Sequence, residues 1–323
     1  MTPGDQQYDV VVIGGGAAGL SGAVTLARSR RSVLVVDAGQ PRNAPADGVH
    51  NYLGREGTPP GQLLALGRAE LAGYGGEVVP GVVTAARQQD DGAFRVTLED
   101  GREASARRLL VATGLVDELP ELPGVAERWG RDVLHCPYCH GWEVRDQALG
   151  ILATGPNAMH QALLFRQLSD DVTFFRHTAP VLPPEAVEQL TALGVRIVDG
   201  EVAALEVADD RLTGVRLVSG EVIPRSAVVV APRFTANADV LASLGVDAAD
   251  QEMRGFVVGS AVAADANGAT AVPGVWVAGN VSDLSAQVVV SAAACLRAGA
   301  MINADLVMAD ARLAVAAKRS VAA

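Results

Sequence analysis

The N-terminal segment constrains the fold of this chain more than any other part of its sequence. The β-branched run at residues 8–13 is typical of a strand buried on both faces in a parallel sheet. A glycine-rich turn follows, and then an Ala- and Leu-rich segment at residues 20–28 predicts a helix. Residues 32–36 predict the next buried strand. This order of strand, turn, helix and strand is typical of a dinucleotide-binding βαβ unit.

Three glycines of the turn, Gly14, Gly16 and Gly19, match the pattern G-x-G-x-x-G. In that pattern the first permits a tight turn, the second lets the backbone approach a pyrophosphate, and the third lets helix and strand pack closely. Free N–H groups at the helix start favour phosphate, and an acid 18 residues after Gly19 can accept hydrogen bonds from a ribose. A glycine-rich turn without a ligand is the alternative, which this combination disfavours. The predicted cofactor contacts are Gly14, Gly16, Ala17, Ala18, Gly19 and Asp37.

Composition limits the class of protein and its partners. A chain of 323 residues is expected to form two domains, and a hydrophobic content of 49% supplies a large core. The net charge of −11 argues against binding to nucleic acid or to an anionic membrane. No apolar run reaches the roughly 18 residues of a spanning helix, and residues 1–5 lack a basic-then-apolar signal pattern. We therefore expect a cytoplasmic protein.

A second unit of the same kind follows further along the chain. Residues 147–153 predict a strand, 154–158 a turn, 159–168 a helix and 172–175 another strand. The predicted fold class is therefore α/β, with two Rossmann-like (βαβ, three-layer) dinucleotide-binding domains, the second inserted into the first. The predicted boundaries are 1–117 and 231–323 for the two parts of the first domain, and 118–230 for the inserted domain.

Other segments carry weaker signals. Residues 38–60 show no periodicity, and a segment of this length without it usually has a function, here the wrapping of a ligand. Residues 228–232 are expected to carry the chain back to the first domain. Residues 286–307 predict a long helix that contains Cys295, for which we expect a buried and inert thiol.

Two of the three cysteines form the most reactive pattern in the chain. Cys136 and Cys139 are separated by two residues, and His135 and His140 flank them. At this spacing the sulfurs can close a small disulfide ring or act as a nucleophile and its resolving partner. A structural zinc site would need four ligands, and the chain has no second cysteine pair. We predict a redox-active dithiol and no metal, with an inert pair as the alternative.

The motifs and their order carry a resemblance to a known family. Val111-Ala112-Thr113-Gly114 precede the cysteines, whereas Trp276-Val277-Ala278-Gly279-Asn280 follow them. Together with the glycine turn and the cysteine pair, they make the chain similar over nearly its whole length to low-molecular-weight thioredoxin reductases and their flavoprotein relatives. The resemblance implies FAD in the first unit, a pyridine-nucleotide-type second domain and a homodimer. It also implies that Cys139 faces the flavin, that Cys136 exchanges with the substrate, and that further FAD contacts come from Ala112, Thr113, Gly114, Gly279, Asn280, Gln287 and Val288.

The second nucleotide unit departs from the thioredoxin reductase pattern. Ala153 stands where the pattern has glycine, so its Cβ crowds the tight turn, and Pro156 removes a backbone N–H from the phosphate loop. Arg176-His177-Thr178 replace the His-Arg-Arg cluster that holds the 2′-phosphate of NADPH in such reductases, so one arginine remains. We expect weak NADPH binding or none. The alternative is that Arg176 with His177, or a nearby arginine, suffices.

Two departures lie closer to the predicted chemistry. His140 follows the distal cysteine where a thioredoxin reductase carries Asp. A histidine, with an unperturbed pKa of about 6.5, can take up and return thiol protons near neutrality; a structural histidine is the alternative. Asn280 stands where the usual pattern has Asp, and it can still hydrogen-bond FAD without adding charge.

The sequence Cys-Pro-Tyr-Cys-His-Gly at residues 136–141 resembles one branch of the family. That branch includes flavin-dependent dithiol oxidases that close disulfides in natural products such as holomycin and gliotoxin. The favoured function is therefore an FAD-dependent oxidase that forms an intramolecular disulfide in a small-molecule dithiol substrate, with O2 as electron acceptor. The main alternative is an NADPH-dependent reductase of thioredoxin or another protein disulfide. A ferredoxin-linked disulfide reductase and a non-enzymatic redox sensor are further alternatives.

Overall fold

The structure is a computed structural model that describes residues 7–155, 157–253 and 255–322. Two sequence expectations lie outside these residues. They are the absence of a signal pattern at residues 1–5 and the missing backbone N–H of Pro156.

A seven-stranded sheet, with three helices on one face, holds the glycine turn. Its strand order is β3-β2-β1-β6-β5-β4, and β19 also pairs with β6. The central strand β1 runs parallel to both β2 and β6, as the buried apolar run predicts. The strands are β1 (Gln7–Ile13), β2 (Val33–Asp37), β3 (Glu77–Pro80), β4 (Val83–Gln88), β5 (Phe94–Leu98), β6 (Glu103–Val111) and β19 (Val275–Val277); the helices are α1 (Ala17–Arg28), α2 (Pro60–Gly73) and α8 (Val288–Ala322).

Alternate residues of the central strand supply two separate cores. Val10 and Val12 pack with Leu26 of α1 and Ile302 of α8, whereas Val11 packs on the other face with residues from 236 to 246. Side chains of a strand alternate between its faces, so a continuous apolar run is needed when both faces are covered. The result is the three-layer arrangement that the sequence predicts.

The second sheet is five-stranded and entirely parallel, in the order β11-β10-β9-β15-β8. Its strand β15 pairs with β9 and β8, so the prediction that residues 228–232 already return to the first domain is wrong for this strand. A short valine run fits the centre of either parallel sheet, so the sequence alone does not assign it. The elements are β8 (Val133–Leu134), β9 (Leu149–Leu152), β10 (Val172–Phe175), β11 (Arg196–Val198), β15 (Ala227–Val229), α5 (Asn157–Arg166) and α6 (Pro184–Ala192).

Two smaller antiparallel elements complete the inserted region and its connections. A three-stranded sheet packs its buried side chains against the second parallel sheet. In a further sheet, the outgoing strand β7 and the returning strand β16 lie antiparallel side by side, with Leu115 opposite Ala236. The remaining elements are β7 (Leu115–Glu118), α3 (Val125–Arg128), α4 (Pro137–His140), β12 (Val202–Ala208), β13 (Arg211–Leu217), β14 (Val222–Ile223), β16 (Arg233–Ala236), α7 (Asp239–Ala242), β17 (Ala248–Met253) and β18 (Phe256–Val262).

The last helix is longer than the sequence predicts. It extends to Ala322, and over Val288–Val321 it is long and apolar enough to cross a membrane, by length and composition alone. The prediction that no segment reaches this length is therefore wrong here, because small apolar residues keep the average hydropathy high between spaced charges. The first half of α8 is instead a core helix on α1. A Cβ on Gly299 would lie 2.9 Å from the Gly22 carbonyl oxygen, so the glycines permit this close crossing.

Candidate active site

A cavity of about 880 Å³ extends from the glycine turn to the cysteine pair. It opens at the carboxyl ends of the first parallel sheet, where ligands bind in open α/β folds. Of the residues predicted to bind cofactor or take part in catalysis, only Gly19 and Gly279 lie outside the described lining. The lining includes Gly14, Gly16, Ala17, Ala18, Asp37, Ala112, Thr113, Gly114, Cys136, Cys139, His140, Asn280, Gln287 and Val288.

The glycine turn is built for close backbone approach. Gly14 has a φ of +106°, and a Cβ there would overlap the Ala112 carbonyl. A Cβ on Gly19 would overlap the Gly14 carbonyl, so this glycine lets α1 pack onto the turn. A Cβ on Gly16 would meet no protein atom within 4 Å, although Gly16 lines the cavity. The space over Gly16 is therefore open for a ligand at the N-terminus of α1.

Asp37 closes the turn from the end of β2. Its carboxylate accepts hydrogen bonds from the backbone N–H groups of Gly15 and Gly39, both at 3.2 Å, and pairs with Arg68 at 2.8 Å. A carboxylate offers about four acceptor positions, so one remains for a ribose hydroxyl. The Arg68 pair orients the group and was not predicted from the sequence.

The turn after β6 is tied to the returning chain. The Thr113 hydroxyl donates to the Asn237 carbonyl at 2.5 Å, and the Asn237 amide donates to the Thr113 carbonyl at 3.1 Å. The backbone N–H of Asn237 also donates to the Gly114 carbonyl at 3.0 Å. These reciprocal bonds fix residues 112–114 as one wall of the cavity.

The segment before α8 forms the opposite wall. Asn280 lines the cavity, and its amide donates to the carbonyls of Asp283 and Ala286 at 3.0 and 2.9 Å. A carboxylate could not donate these bonds, so asparagine organises this loop in a way that Asp cannot. The loop places Gln287 on the lining, directly before the first turn of α8.

The cysteine pair occupies the short helix α4. Cys136 is its N-cap and is half-buried, whereas Cys139 is exposed, and both line the cavity. The Cys139 thiol and the backbone N–H groups of residues 138 and 139 lower the pKa of Cys136 to about 7. The same interaction, with burial, raises the pKa of Cys139. In the dithiol state Cys136 is therefore the thiolate and Cys139 the proton donor.

His140 lines the same cavity at the end of α4. Burial lowers its pKa below the usual value of 6.5, and the nearby carboxylates of Glu143 and Asp47 offset only part of this effect. The imidazole is therefore neutral near pH 7 and able to accept a proton. His135 is tied differently, since its Nδ1 lies 3.1 Å from both the Val230 carbonyl oxygen and the Gln161 amide nitrogen.

We expect His140→Ala to remove a base from thiol exchange. Because His140 has a lowered pKa, the wild-type rate should be lost only as the pH falls through that value, below 6.5. The variant should turn over a small dithiol about tenfold or more slowly at pH 7 and lack this acidic limb. The measurement is kcat/KM for the dithiol against pH. His160→Ala, which changes another cavity-lining histidine, is the matched control and should keep the limb; an unchanged profile for His140→Ala would assign His140 a structural role.

Two contacts from the long loop at residues 38–60 reach the site and were not predicted. The Asn51 amide donates to the Tyr138 carbonyl, between the two cysteines, at 2.5 Å. Arg42 donates two hydrogen bonds to the Asp117 carboxylate, from Nη2 to Oδ1 at 2.6 Å and from Nε to Oδ2 at 2.8 Å. The only sequence signal for either residue was the absence of periodicity in this segment.

The region where the resemblance places a second nucleotide is altered in its contacts as well as its sequence. Ala153 is fully buried, with its N–H and carbonyl bonded to Phe175 and Ala179. The guanidinium of Arg176 pairs with Asp199 at 2.7 Å. His177 accepts the backbone N–H of Val202 at 3.0 Å, and burial lowers its pKa. Arg176 is thus the one cation of this pair of residues, and it already has a carboxylate partner.

A cavity of about 500 Å³ lies beside this region. Its lining includes Glu118, Glu121 and Glu201, against a single guanidinium from Arg233. Arg233 is itself paired with Glu118 at 3.5 Å and Asp250 at 3.0 Å. The surplus of carboxylates opposes the binding of a polyphosphate. Across the residues that the structure describes, no cluster of three or more His, Cys, Asp or Glu could hold a metal ion.

Two dinucleotide-type units with a dithiol between them define a flavin-dependent disulfide oxidoreductase, an enzyme. The profile of the family described as pyridine nucleotide-disulphide oxidoreductase matches residues 8–298. The chain therefore belongs to this family. Its thioredoxin reductase-like members bind FAD, and the residues present fit that group, because the glycine turn leaves an open cradle over Gly16 and the cavity continues to the dithiol.

Individual relatives agree with this assignment. Thioredoxin reductase tcpT of Claviceps purpurea (strain 20.1) is 36% identical over 187 residues, which cover 55% of this chain and 58% of that protein. Thioredoxin reductase sirT of Leptosphaeria maculans is 28% identical over 319 residues, covering 94% and 95%. The crystal structure of HlmI superposes with a TM-score of 0.90 at 46% identity, covering 100% of this chain and 99% of that one. The chain thus spans little more than half the length of tcpT, but nearly all of sirT and HlmI.

Proposed function

We propose that this enzyme is an FAD-dependent dithiol oxidase that forms an intramolecular disulfide in a small-molecule substrate, with O2 as electron acceptor. One contrast carries the proposal. The cavity between glycine turn and dithiol is open and continuous, whereas Arg176 and His177, the residues left for an NADPH phosphate, are committed to Asp199 and Val202. We therefore expect the dithiol to reduce the flavin readily and NADPH to reduce it poorly.

The chain's own groups would act in a defined order. A substrate thiolate attacks the Cys136 sulfur of the Cys136–Cys139 disulfide, and Cys139 leaves as a thiolate. The second substrate thiol gives its proton to the neutral imidazole of His140, attacks the mixed disulfide and releases Cys136. Asn51 holds the turn between the cysteines during both exchanges by its bond to Tyr138.

The oxidation of the substrate dithiol requires an electron acceptor, which we propose is O2. Two electrons and two protons leave the substrate dithiol, which becomes a disulfide, and reduce the enzyme disulfide to the dithiol. FAD, held over Gly16 in the cavity that continues to the dithiol, would supply the redox chemistry by which O2 takes up both electrons and both protons as H2O2. Cys139, by the resemblance, is the thiol that faces the flavin. Oxygen consumed, peroxide formed and substrate disulfide formed should therefore be equal in amount.

Anaerobic mixing tests the direction of electron flow. We expect the oxidised holoenzyme to lose its flavin absorbance rapidly with a small dithiol, and at least about a hundredfold more slowly with NADPH at about 100 μM, a concentration typical of cofactor KM values. The measurement is stopped-flow absorbance of the flavin band. Bleaching by NADPH at a rate equal to that of the dithiol would overturn the oxidase assignment.

Arg176→Gln supplies the matched variant. Because Arg176 is paired with Asp199 and does not line the main cavity, its loss should leave the dithiol rate within about twofold of wild type. In an NADPH-dependent reductase the same substitution would remove the one phosphate-binding arginine and slow NADPH oxidation strongly.

An NADPH-dependent thioredoxin reductase is the second candidate, and the printed names of tcpT and sirT favour it. It predicts thioredoxin-dependent NADPH oxidation by the purified enzyme. A ferredoxin-linked reductase predicts turnover only with reduced ferredoxin, and a redox sensor predicts negligible turnover with any dithiol.

The assembly and compartment belong to the same proposal. We place the enzyme in the cytoplasm as a homodimer, as the resemblance implies, with no nucleic-acid or membrane partner. Exposed apolar side chains along the second half of α8, including Met308 and Leu313, offer surface for a second copy. Mass measurement in solution would check the dimer.

A further inference from the structure

Arg42 carries the one Arg or Lys charge in the described lining of the main cavity. The other ionisable groups on that lining are carboxylic acids, histidines, one tyrosine and the two cysteines. A dithiol must form thiolates to exchange, and a nearby permanent cation favours them. The charge at Arg42 therefore has no substitute on this surface. The remaining titratable lining residues are Asp37, His50, Asp117, His135, Cys136, Tyr138, Cys139, His140, His160 and Asp239.

Four contacts hold Arg42 in place. Two nitrogens bind the Asp117 carboxylate, whose side chain is only 7% exposed, and Nη1 donates to the side-chain Oδ1 of Asn280 at 3.2 Å. The guanidinium also lies over the Phe234 ring, 5.3 Å from its centroid. A bidentate pair with an aromatic face fixes the orientation of an arginine in a way that a lysine cannot reproduce.

The residue at position 280 determines the net charge of the cluster formed by Arg42, Asp117 and Asn280. Arg42 and Asp117 cancel, and Asn280 adds a hydrogen bond without charge, so the three side chains sum to zero. With Asp at position 280, as in the usual family pattern, the sum would be −1. The departure at position 280 and the arginine at position 42 are thus parts of one arrangement.

We propose that Arg42, oriented by Asp117 and given no second negative neighbour because position 280 is Asn, is the positioning cation that stabilises the thiolate of the dithiol in this cavity. The inference rests on the proposed function only for the reaction in which the dithiol takes part. Arg42 lies on the same cavity lining as both cysteines. Its charge adds a small lowering to the pKa of Cys136 and offsets a small part of the rise in the pKa of Cys139 that Cys136 and burial cause. The Cys139 thiol and local backbone N–H groups act on Cys136 as well, so Arg42 contributes one part of its acidity.

Alkylation of the reduced holoenzyme tests this directly. The rate of iodoacetamide labelling at Cys136, followed by mass spectrometry from pH 5 to pH 10, gives the midpoint of thiolate formation. We expect Arg42→Gln to raise this midpoint by about half a pH unit, because it leaves the Asp117 carboxylate unpaired on the same lining, and Arg42→Lys by less than about 0.2 unit, because lysine keeps the charge. Arg55→Gln, the same charge change in the same loop but off the described cavity lining, should leave the midpoint unchanged. Wild-type midpoints in Arg42→Gln would overturn the proposal.

Asn280→Asp keeps the test decisive if Arg42→Gln fails to fold, since it keeps the side-chain size and the acceptor for Arg42 and loses only the bonds donated to Asp283 and Ala286. It should raise the midpoint by about half a unit or more, because it adds a negative charge beside Arg42. Asn280→Ala loses the same two donated bonds, and also the bond accepted from Arg42, without adding charge; it should shift the midpoint by less than about 0.2 unit. Equal shifts in both would overturn the electrostatic role. The labelling uses neither O2 nor NADPH, so it succeeds or fails independently of the oxidase assignment.

Discussion

Cys136→Ser and Cys139→Ser should each reduce dithiol turnover by about a thousandfold or more, while the protein still binds FAD. Each cysteine has a different task, since Cys136 at the N-cap of α4 is the more acidic thiol and Cys139 is its proton-donating partner. A hydroxyl cannot form a disulfide, so neither task survives the substitution. Oxygen consumption with a small dithiol measures the loss, and the visible absorbance of the purified variant measures the FAD content.

The third cysteine supplies the control for this experiment. Cys295 is fully buried in α8, and burial raises the pKa of its thiol to about 12, so it stays protonated and unreactive. Cys295→Ala should therefore keep turnover within about twofold, apart from the cost of a small cavity. Substantial residual activity in either cysteine variant of α4 would contradict the dithiol mechanism.

Gly16→Val should yield folded protein that lacks FAD. A side chain at this position meets no protein atom within 4 Å and projects from the cavity lining. It would therefore fill the space over the N-terminus of α1, where a pyrophosphate would approach. The expected result is a colourless enzyme with near-wild-type far-ultraviolet circular dichroism and no oxidase activity.

Two other glycines separate this effect from misfolding. Gly61 in α2 is also open to solvent, lies off the described cavity lining and gives a volume-matched control, so Gly61→Val should remain yellow and active. Gly14→Val should lose FAD together with stability, because Gly14 has a φ of +106° and abuts the Ala112 carbonyl. A yellow, fully loaded Gly16→Val protein would contradict the assigned cofactor site.

Local patterns in the sequence were sufficient to predict both βαβ units. The run of valines in β1 and the spacing of Gly14, Gly16 and Gly19 depend on neighbours within about thirty residues. A local pattern does not specify which of the two sheets a strand joins. The strand Ala227–Val229 pairs within the second sheet, whereas residues 228–232 were predicted to return to the first domain, because a short apolar run suits any buried parallel strand.

The sequence by itself determined the class of this enzyme, because the glycine turn and the Cys136–Cys139 pair each carry their chemistry within a few consecutive residues. Only the tertiary structure decided the electrostatics around them. Arg42 meets Asp117 and Asn280 across 75 and 238 residues of chain, and Arg176 meets Asp199 across 23. An ion pair depends on distance in space, which residue spacing along the chain does not fix, so whether a given arginine was free for a phosphate, or available to favour a thiolate, could be learned only from the fold.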